Sequence, residues 1–247
     1  MELFLNVSIA VHLTAALLGL VTIPVLFFAR KGTRFHIALG RIEIGVGTVV
    51  LAGAACIIFN PAYSARLQLD IAHYGWSTHV SKLLFAWIWG YFAYFFYSGL
   101  RIWYRKRGRG PMTHGICDYA LSAVALALGG AGTLIALLHL VKGPLDWPRL
   151  VPMSAAMVVF AIGDIVSYAR PPTTFRAAYL AHGSRMYFAW WMLLMGPLLR
   201  SHWWGGPLSF ASAVVVVGGY LALRTYWLRQ LRRADHRPDE VARTAGA

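Results

Sequence analysis

Charged residues are scarce in this chain of 247 residues, of which only 13% are Asp, Glu, Lys or Arg. An ordinary soluble domain is about 25% charged and about 45–50% apolar, whereas 58% of this chain is apolar. A compact soluble fold of this length has too little interior to bury so many apolar side chains. The same composition excludes an intrinsically disordered chain. It therefore predicts a polytopic membrane protein.

Cysteines are few, and the familiar catalytic motifs are missing. The two cysteines, Cys56 and Cys117, cannot support a disulfide-rich secreted scaffold. The sequence contains no nucleophile elbow, zinc-protease motif, phosphate-binding loop or Cys-x-x-Cys pair. No lysine lies in the last apolar run, which excludes a retinal Schiff base there. Any activity is therefore expected to depend on side chains within or at the membrane.

Seven apolar runs are long enough to cross a bilayer, which takes roughly 20 helical residues. Pro197 and Arg200 interrupt the sixth run, so six spans or a re-entrant segment is an alternative. We predict an all-α bundle of about seven transmembrane helices over residues 1–229, built as three helical hairpins plus a seventh helix, and a short basic tail at 230–247. The runs are Leu3–Ala29, Ala38–Phe59, Val80–Tyr104, Cys117–Val141, Leu150–Ala169, Ser184–Ser201 and Leu208–Leu228.

Basic residues exceed acidic ones, at 23 against 9, and the formal net charge is +14. The basic residues are scattered between the apolar runs and form no single stripe, so we expect no nucleic-acid partner. Counted on alternate sides of the seven runs, 18 lie on one side and five on the other. Because positive loops stay in the cytoplasm, this asymmetry predicts a multi-pass protein of the cytoplasmic (inner) cell membrane. Its N-terminus would lie outside and its C-terminus inside.

Histidines lie deep in or near the outer ends of three runs. His12 is about nine residues inside the first run, roughly 13 Å below its outer end, among apolar neighbours. Its side chain is too short to reach water, so it either bonds a polar group of a neighbouring helix, binds haem iron or relays protons. His79 and His139 lie near the outer ends of their runs. His139 is the candidate to ligate iron together with His12, unless both outer histidines are simply interfacial.

Several ionisable side chains lie near the inner face, where each needs a partner or a function because burial in a membrane is costly. Glu43 and Asp164 either pair with nearby arginines and hold helices together, or act as titratable groups. The candidate arginine partners are Arg41, Arg170 and Arg185. Asp118, at the edge of its run, alternatively favours a helix N-terminus. The whole inner group comprises His36, Glu43, His114, Asp118, Asp164, His182 and Arg185.

One functional hypothesis is a redox module in which intramembrane histidines bind haem b and exchange electrons with quinone. Histidines near both membrane faces are what two stacked haem centres would need. Basic residues at the inner face would pair with haem propionates. The candidate haem-binding residues are His12, His36, His79, His139 and His182 as ligands, and Arg34, Arg41 and Arg185 as propionate partners.

Two other hypotheses remain open on the sequence. The first is an intramembrane enzyme that uses general acid–base chemistry on a lipophilic substrate. Its catalytic residues would be Glu43, Asp118, Asp164, His114 and His182. The second is a proton-coupled carrier or an accessory subunit of a membrane complex, since polar residues inside spans often line transport paths.

The segment Lys31–Arg41, with the sequence KGTRFHIALGR, follows the run that contains His12. An early intramembrane histidine followed by Lys-Gly, His and Gly-Arg at this spacing resembles a family of bacterial multi-pass membrane proteins of unassigned function. Residues 182–186 are similar to that family's second patch, with Ser184-Arg185 where a second aromatic usually precedes the Met. The resemblance implies a membrane location but no known chemistry. The residues that match the family's pattern are His12, His36, Gly40 and His182.

Overall fold

The structure is a computed structural model that describes residues 2–29, 33–60, 78–106, 116–142, 150–169, 175–200 and 207–235. Within these ranges every regular element is an α-helix, which confirms the predicted all-α class. The helices are α1 (Glu2–Phe28), α2 (Arg34–Ile58), α3 (Thr78–Lys106), α4 (Ile116–Lys142), α5 (Leu150–Ala169), α6 (Phe175–Arg200) and α7 (Pro207–Asp235). Each helix contains most or all of one predicted apolar run.

Four of the described helices are long and apolar enough to cross a membrane. They are α1, α2, residues Ile116–Ile135 of α4 and residues Val151–Tyr168 of α5. Their outer faces carry large apolar side chains, such as Leu17, which is 60% exposed, and Val159, which is 66% exposed. Apolar surface on this scale is suited to lipid rather than to water. These helices therefore indicate a membrane protein.

The helix ends differ from the predicted runs mainly at α6 and α7. The α6 helix begins at Phe175, ahead of the run that starts at Ser184, and it continues through Pro197 to Arg200. The α7 helix continues past Leu228 to Asp235. An apolar run marks only the segment suited to hydrocarbon, whereas backbone hydrogen bonding continues the helix into polar surroundings.

The chain divides into two compact units, Met1–Ala93 and Tyr94–Ala247, with the boundary inside α3. In the first unit, α1 packs against α2, and the Trp89 indole N–H of α3 donates to the Leu51 carbonyl oxygen of α2 at 2.9 Å. In the second unit, α4 packs against α5, and α6 against α7. The unit boundary does not coincide with a loop, so one helix contributes side chains to both units.

The core of the second unit is aromatic. Phe95, Phe160 and Phe188 come from α3, α5 and α6, and each pair of ring centroids is separated by 5.3 or 5.4 Å. Edge and tilted ring contacts at this spacing add to the gain from burial. These ring contacts join α3, α5 and α6, and the Phe160 ring also lies against Arg185.

Candidate functional site

His12 lies in the first half of α1, with its imidazole against α2. Its Nδ1 lies 3.0 Å from the Val50 carbonyl oxygen, and the side chain is half-buried. Because the carbonyl can only accept, we assign the ring proton to Nδ1, which leaves the lone pair on Nε2. A histidine that binds a metal through Nε2 usually donates its other ring N–H in this way.

Gly53 provides the space that this contact requires. A Cβ at Gly53 would lie 2.9 Å from the Cβ of His12, which is closer than real Cβ atoms approach. Val50 and Gly53 are three residues apart, so they share one face of α2. One face of α2 therefore carries both the Val50 carbonyl that binds the imidazole and the glycine that lets the His12 backbone approach.

Glu43 is the buried carboxyl of the α1–α2 pair. The Thr22 hydroxyl of α1 contacts Glu43 Oε1, and it also lies 2.7 Å from the Leu18 carbonyl oxygen. In the described part of the chain Glu43 forms no ion pair with a basic side chain. The expectation of an arginine partner is therefore not met there, and the Thr22 hydroxyl takes that place.

The first turn of α2 carries the other predicted residues of the first unit. Thr33 caps this turn and accepts from the His36 backbone N–H at 3.3 Å. The His36 side chain is half-buried, while Arg34 and Arg41 are exposed. These two arginines are therefore accessible to an anionic group from outside the hairpin.

His182 repeats in the second unit the arrangement of His12. Its Nδ1 lies 2.8 Å from the Gly99 carbonyl oxygen of α3. A Cβ at Gly99 would lie 3.2 Å from the Cβ of Arg185, so α3 and α6 approach closely beside the imidazole. Two histidines from different helices thus each have Nδ1 directed at a backbone carbonyl of a neighbouring helix.

Asp164 is a fully buried carboxylate in α5 with two charged or polar partners. Arg185 Nη2 donates to its Oδ1 at 2.5 Å, and the Tyr94 hydroxyl donates to its Oδ2 at 2.7 Å. Asp164 is 0% exposed, Tyr94 1% and Arg185 5%. Of the two interpretations of Asp164, the structure shows the ion pair, and the partner is Arg185.

The rest of the Arg185 guanidinium is held inside α6 and by the aromatic core. Its Nη1 donates to the Ala181 carbonyl oxygen at 3.0 Å. Its Cζ lies 5.1 Å from the centroid of the Phe160 ring, within the range of a cation–π contact. A guanidinium bound in this way is already neutralised by Asp164, so a propionate would compete with that carboxylate for it.

Asp118, in the first turn of α4, forms a second carboxylate–arginine pair. Arg101 of α3 donates from Nε to Oδ1 at 2.9 Å and from Nη2 to Oδ2 at 2.5 Å. The Tyr97 hydroxyl lies 3.5 Å from Oδ1, and the Tyr168 hydroxyl donates to the Asp118 carbonyl oxygen at 3.1 Å. This fork-shaped pair joins α3 to α4.

The predicted residues fall into two groups. His12, His36, Glu43 and the arginines of α2 belong to the first unit. Asp118, Asp164, His182 and Arg185 belong to the second. The side chains of His79 and His139, and all of His114, lie outside the described residues. Among the described residues no group of three or more His, Cys, Asp and Glu side chains could hold a metal ion, although haem iron needs only one or two imidazoles.

The hydroxyl groups that bind the buried carboxylates were not predicted from the sequence. They belong to Thr22, Tyr94 and Tyr97. A spacing of three residues places Tyr94 and Tyr97 on one face of α3, and two tyrosines in an apolar helix are a signal that buried acceptors lie opposite that face.

Comparison of the chain with protein-family models, with curated proteins and with solved structures finds no match.

Proposed function

We propose that this chain is a multi-pass protein of the cytoplasmic membrane with seven spans, an outer N-terminus and an inner C-terminus. The asymmetry of 18 basic residues against five supports this arrangement. Reporter enzymes fused in turn to each terminus are expected to be active on opposite sides of the membrane. Activity of both reporters in the same compartment would contradict the arrangement.

We further propose that the chain is an electron-transfer module that binds haem b through intramembrane histidines. One observation carries this proposal: His12 and His182 each direct Nδ1 at a backbone carbonyl, at 3.0 and 2.8 Å. That bond would fix the orientation of both rings for ligation, and at His12 it would leave Nε2 as the ligand atom. The resemblance of the sequence to an uncharacterised membrane family also includes both of these histidines, together with His36.

In this proposal, backbone carbonyls orient the histidines that would bind the haem, and arginines would neutralise the charge of its propionates. The carbonyl acceptors at Val50 and Gly99 make each imidazole a better electron donor to iron. The exposed Arg34 and Arg41 are candidates to pair with propionates, whereas Arg185 is already bound to Asp164. His79 and His139 remain candidates for further residues that would hold the haem. Bound haem would supply one-electron transfer, with quinone as the proposed lipophilic partner.

The alternative of acid–base catalysis receives less support from the geometry. Asp164 and Asp118 are each paired with an arginine at 2.5 Å, so both carboxylates already hold a guanidinium that a substrate would have to displace. Glu43 has a hydroxyl partner instead, so it is the carboxyl on which this alternative would depend.

An absorption spectrum of the full chain tests the haem proposal. The protein is expressed with added haem precursor and purified in a mild detergent. We expect a Soret band that shifts on reduction with dithionite and that His12→Ala or His182→Ala weakens by more than half. A colourless, iron-free preparation would contradict the proposal.

Two further variants separate loss of a ligand from loss of a helix contact. His12→Gln keeps an N–H donor for the Val50 carbonyl but supplies no ligand nitrogen, so it should lose the haem signal as His12→Ala does. Trp89→Phe removes the comparable bond to the Leu51 carbonyl and should keep the signal. An unchanged Soret band in His12→Gln would exclude His12 as a ligand.

A further inference from the structure

The exposed face of α7 changes its chemistry abruptly along the helix. Its first part presents large apolar side chains, of which Val215 is 59% exposed and Leu221 is 52% exposed. From Arg224 onward the same helix presents the exposed arginines Arg224, Arg229 and Arg232. The change takes three residues, or about 4.5 Å of helix. A change this sharp is typical of a boundary between hydrocarbon and lipid headgroups.

The three arginines of α7 are exposed although the helix also has a buried face. Leu223, Trp227 and Leu231 recur every four residues and are buried, so they define the face of α7 that packs on the second unit. At about 100° per residue, Arg229 and Arg232 lie on the part of the helix away from these buried residues, whereas Arg224 lies at the edge of the packed face, about 60° from Trp227. All three side chains are nevertheless exposed.

Among the side chains that the structure describes, these arginines have no carboxylate partner. In the described part of the chain none of the three forms an ion pair, and the ion pairs there are those of Asp118 and Asp164. A planar guanidinium matches the oxygens of a phosphate group through two parallel hydrogen bonds. Three exposed guanidinium groups that form no ion pair with a described side chain are suited to bind anionic groups at a headgroup boundary.

We propose that Arg224, Arg229 and Arg232 form a binding surface for the phosphate groups of anionic phospholipids in the inner leaflet. The arginine surface, defined by these three residues, holds the end of α7 at the depth of the headgroups. The proposal rests on the proposed membrane arrangement but not on haem. The proposal concerns three residues of one helix. The charge asymmetry used above to predict the orientation concerns all the inner loops.

Native mass spectrometry of the full chain in neutral detergent tests this proposal. Phosphatidylglycerol and phosphatidylcholine are titrated separately, and the bound lipids are counted. The wild type should bind phosphatidylglycerol in preference. The triple variant Arg224→Gln/Arg229→Gln/Arg232→Gln should bind it roughly a hundredfold more weakly, since each basic residue near an anionic surface contributes about 1 kcal/mol. Equal binding by the triple variant and the wild type would overturn the proposal.

A matched control removes three positive charges from the predicted outer side. The variant Arg66→Gln/Lys142→Gln/Arg200→Gln should bind phosphatidylglycerol as the wild type does. If it weakens binding as much as the α7 variant, net charge rather than the arginine surface is responsible, and the proposal is wrong. Inorganic phosphate at 10 mM should not displace the lipid; displacement would assign the surface to free phosphate instead.

Two measurements keep the test valid if the triple glutamine variant folds poorly. Binding of phosphatidylglycerol to the wild type should weaken as NaCl is raised from 0.1 to 0.5 M, because salt screens exposed charges. The lysine variant Arg224→Lys/Arg229→Lys/Arg232→Lys should retain most of the binding because it keeps the charge. Salt-independent binding would overturn the proposal. All these readouts count lipids, so a protein without haem tests the arginine surface equally well.

Discussion

Arg185 and Asp164 meet at 2.5 Å in the aromatic core of the second unit, with side chains that are 6% and 1% exposed. Neither charge has access to water, and each is compensated by the other and by polar bonds from Tyr94 and Ala181. In such a setting the loss of one partner is far more damaging than the loss of both.

The first prediction concerns this ion pair. Asp164→Leu or Arg185→Met should each lower the free energy of unfolding by about 3–5 kcal/mol, because each leaves an uncompensated buried charge. The double variant Asp164→Leu/Arg185→Met should recover most of that loss. Unfolding titrations in mixed micelles measure the three values. Single-variant losses that simply add in the double variant would show that the two side chains do not interact.

The second prediction concerns the Tyr94 hydroxyl, which donates to a carboxylate. Tyr94→Phe should cost about 1.5–3 kcal/mol, the range for hydrogen bonds to charged groups. Tyr187→Phe is the matched control, since its hydroxyl donates to a neutral acceptor, the Val216 carbonyl oxygen, at 3.0 Å. That variant should cost about 1 kcal/mol. Equal losses would indicate that the charge on Asp164 adds nothing to the bond.

The third prediction compares two glycines of α2. Gly53→Ala places a Cβ at 2.9 Å from the Cβ of His12, whereas a Cβ at Gly45 meets nothing within 4 Å. Gly53→Ala should therefore push α1 from α2 and lower the thermal unfolding midpoint. Gly45→Ala should leave it unchanged or raise it slightly, since alanine favours a helix by up to about 1 kcal/mol. A tolerated Gly53→Ala would contradict the close contact.

The fourth prediction uses exposure to distinguish the two ion pairs. The Arg101 side chain is 26% exposed, against 6% for Arg185. Water and salt can reach Arg101, so Arg101→Ala should cost at least about 1 kcal/mol less than Arg185→Ala. Raising NaCl from 0.1 to 0.5 M should shrink the loss in Arg101→Ala and leave that in Arg185→Ala nearly unchanged. The same unfolding titration, repeated at both salt concentrations, gives the comparison.

The helices were predictable because a single property, a long apolar run, marks each of them. The run at Leu150–Ala169 coincides with α5, and α1 differs from its predicted run by one residue at each end. The start of α6 at Phe175 was missed because Arg176, His182 and Gly183 interrupt the apolar pattern. The backbone hydrogen bonds of an α-helix do not depend on hydropathy. A helix can therefore begin several residues before the apolar run that predicts it.

The partners of the charged residues were harder to predict than the residues themselves. Asp164 and Arg185 stand out in any apolar sequence, and an ion pair between them was one of the alternatives. Tyr94, however, is 70 residues from Asp164 in the chain. Its role depends on which face of α3 turns toward α5, and helix rotation is set by packing of the whole aromatic core.

Substitutions affect the contacts of His12 and His182 differently from those of Asp164. Their acceptors are main-chain oxygens, which every amino acid provides, so replacing the side chain of Val50 removes no acceptor. In contrast, a single substitution of Asp164 removes the carboxylate that both Arg185 and Tyr94 bind. Random mutagenesis should therefore find that position 50 accepts other apolar residues of similar size without loss of the His12 contact, whereas position 164 accepts no replacement without loss of the ion pair.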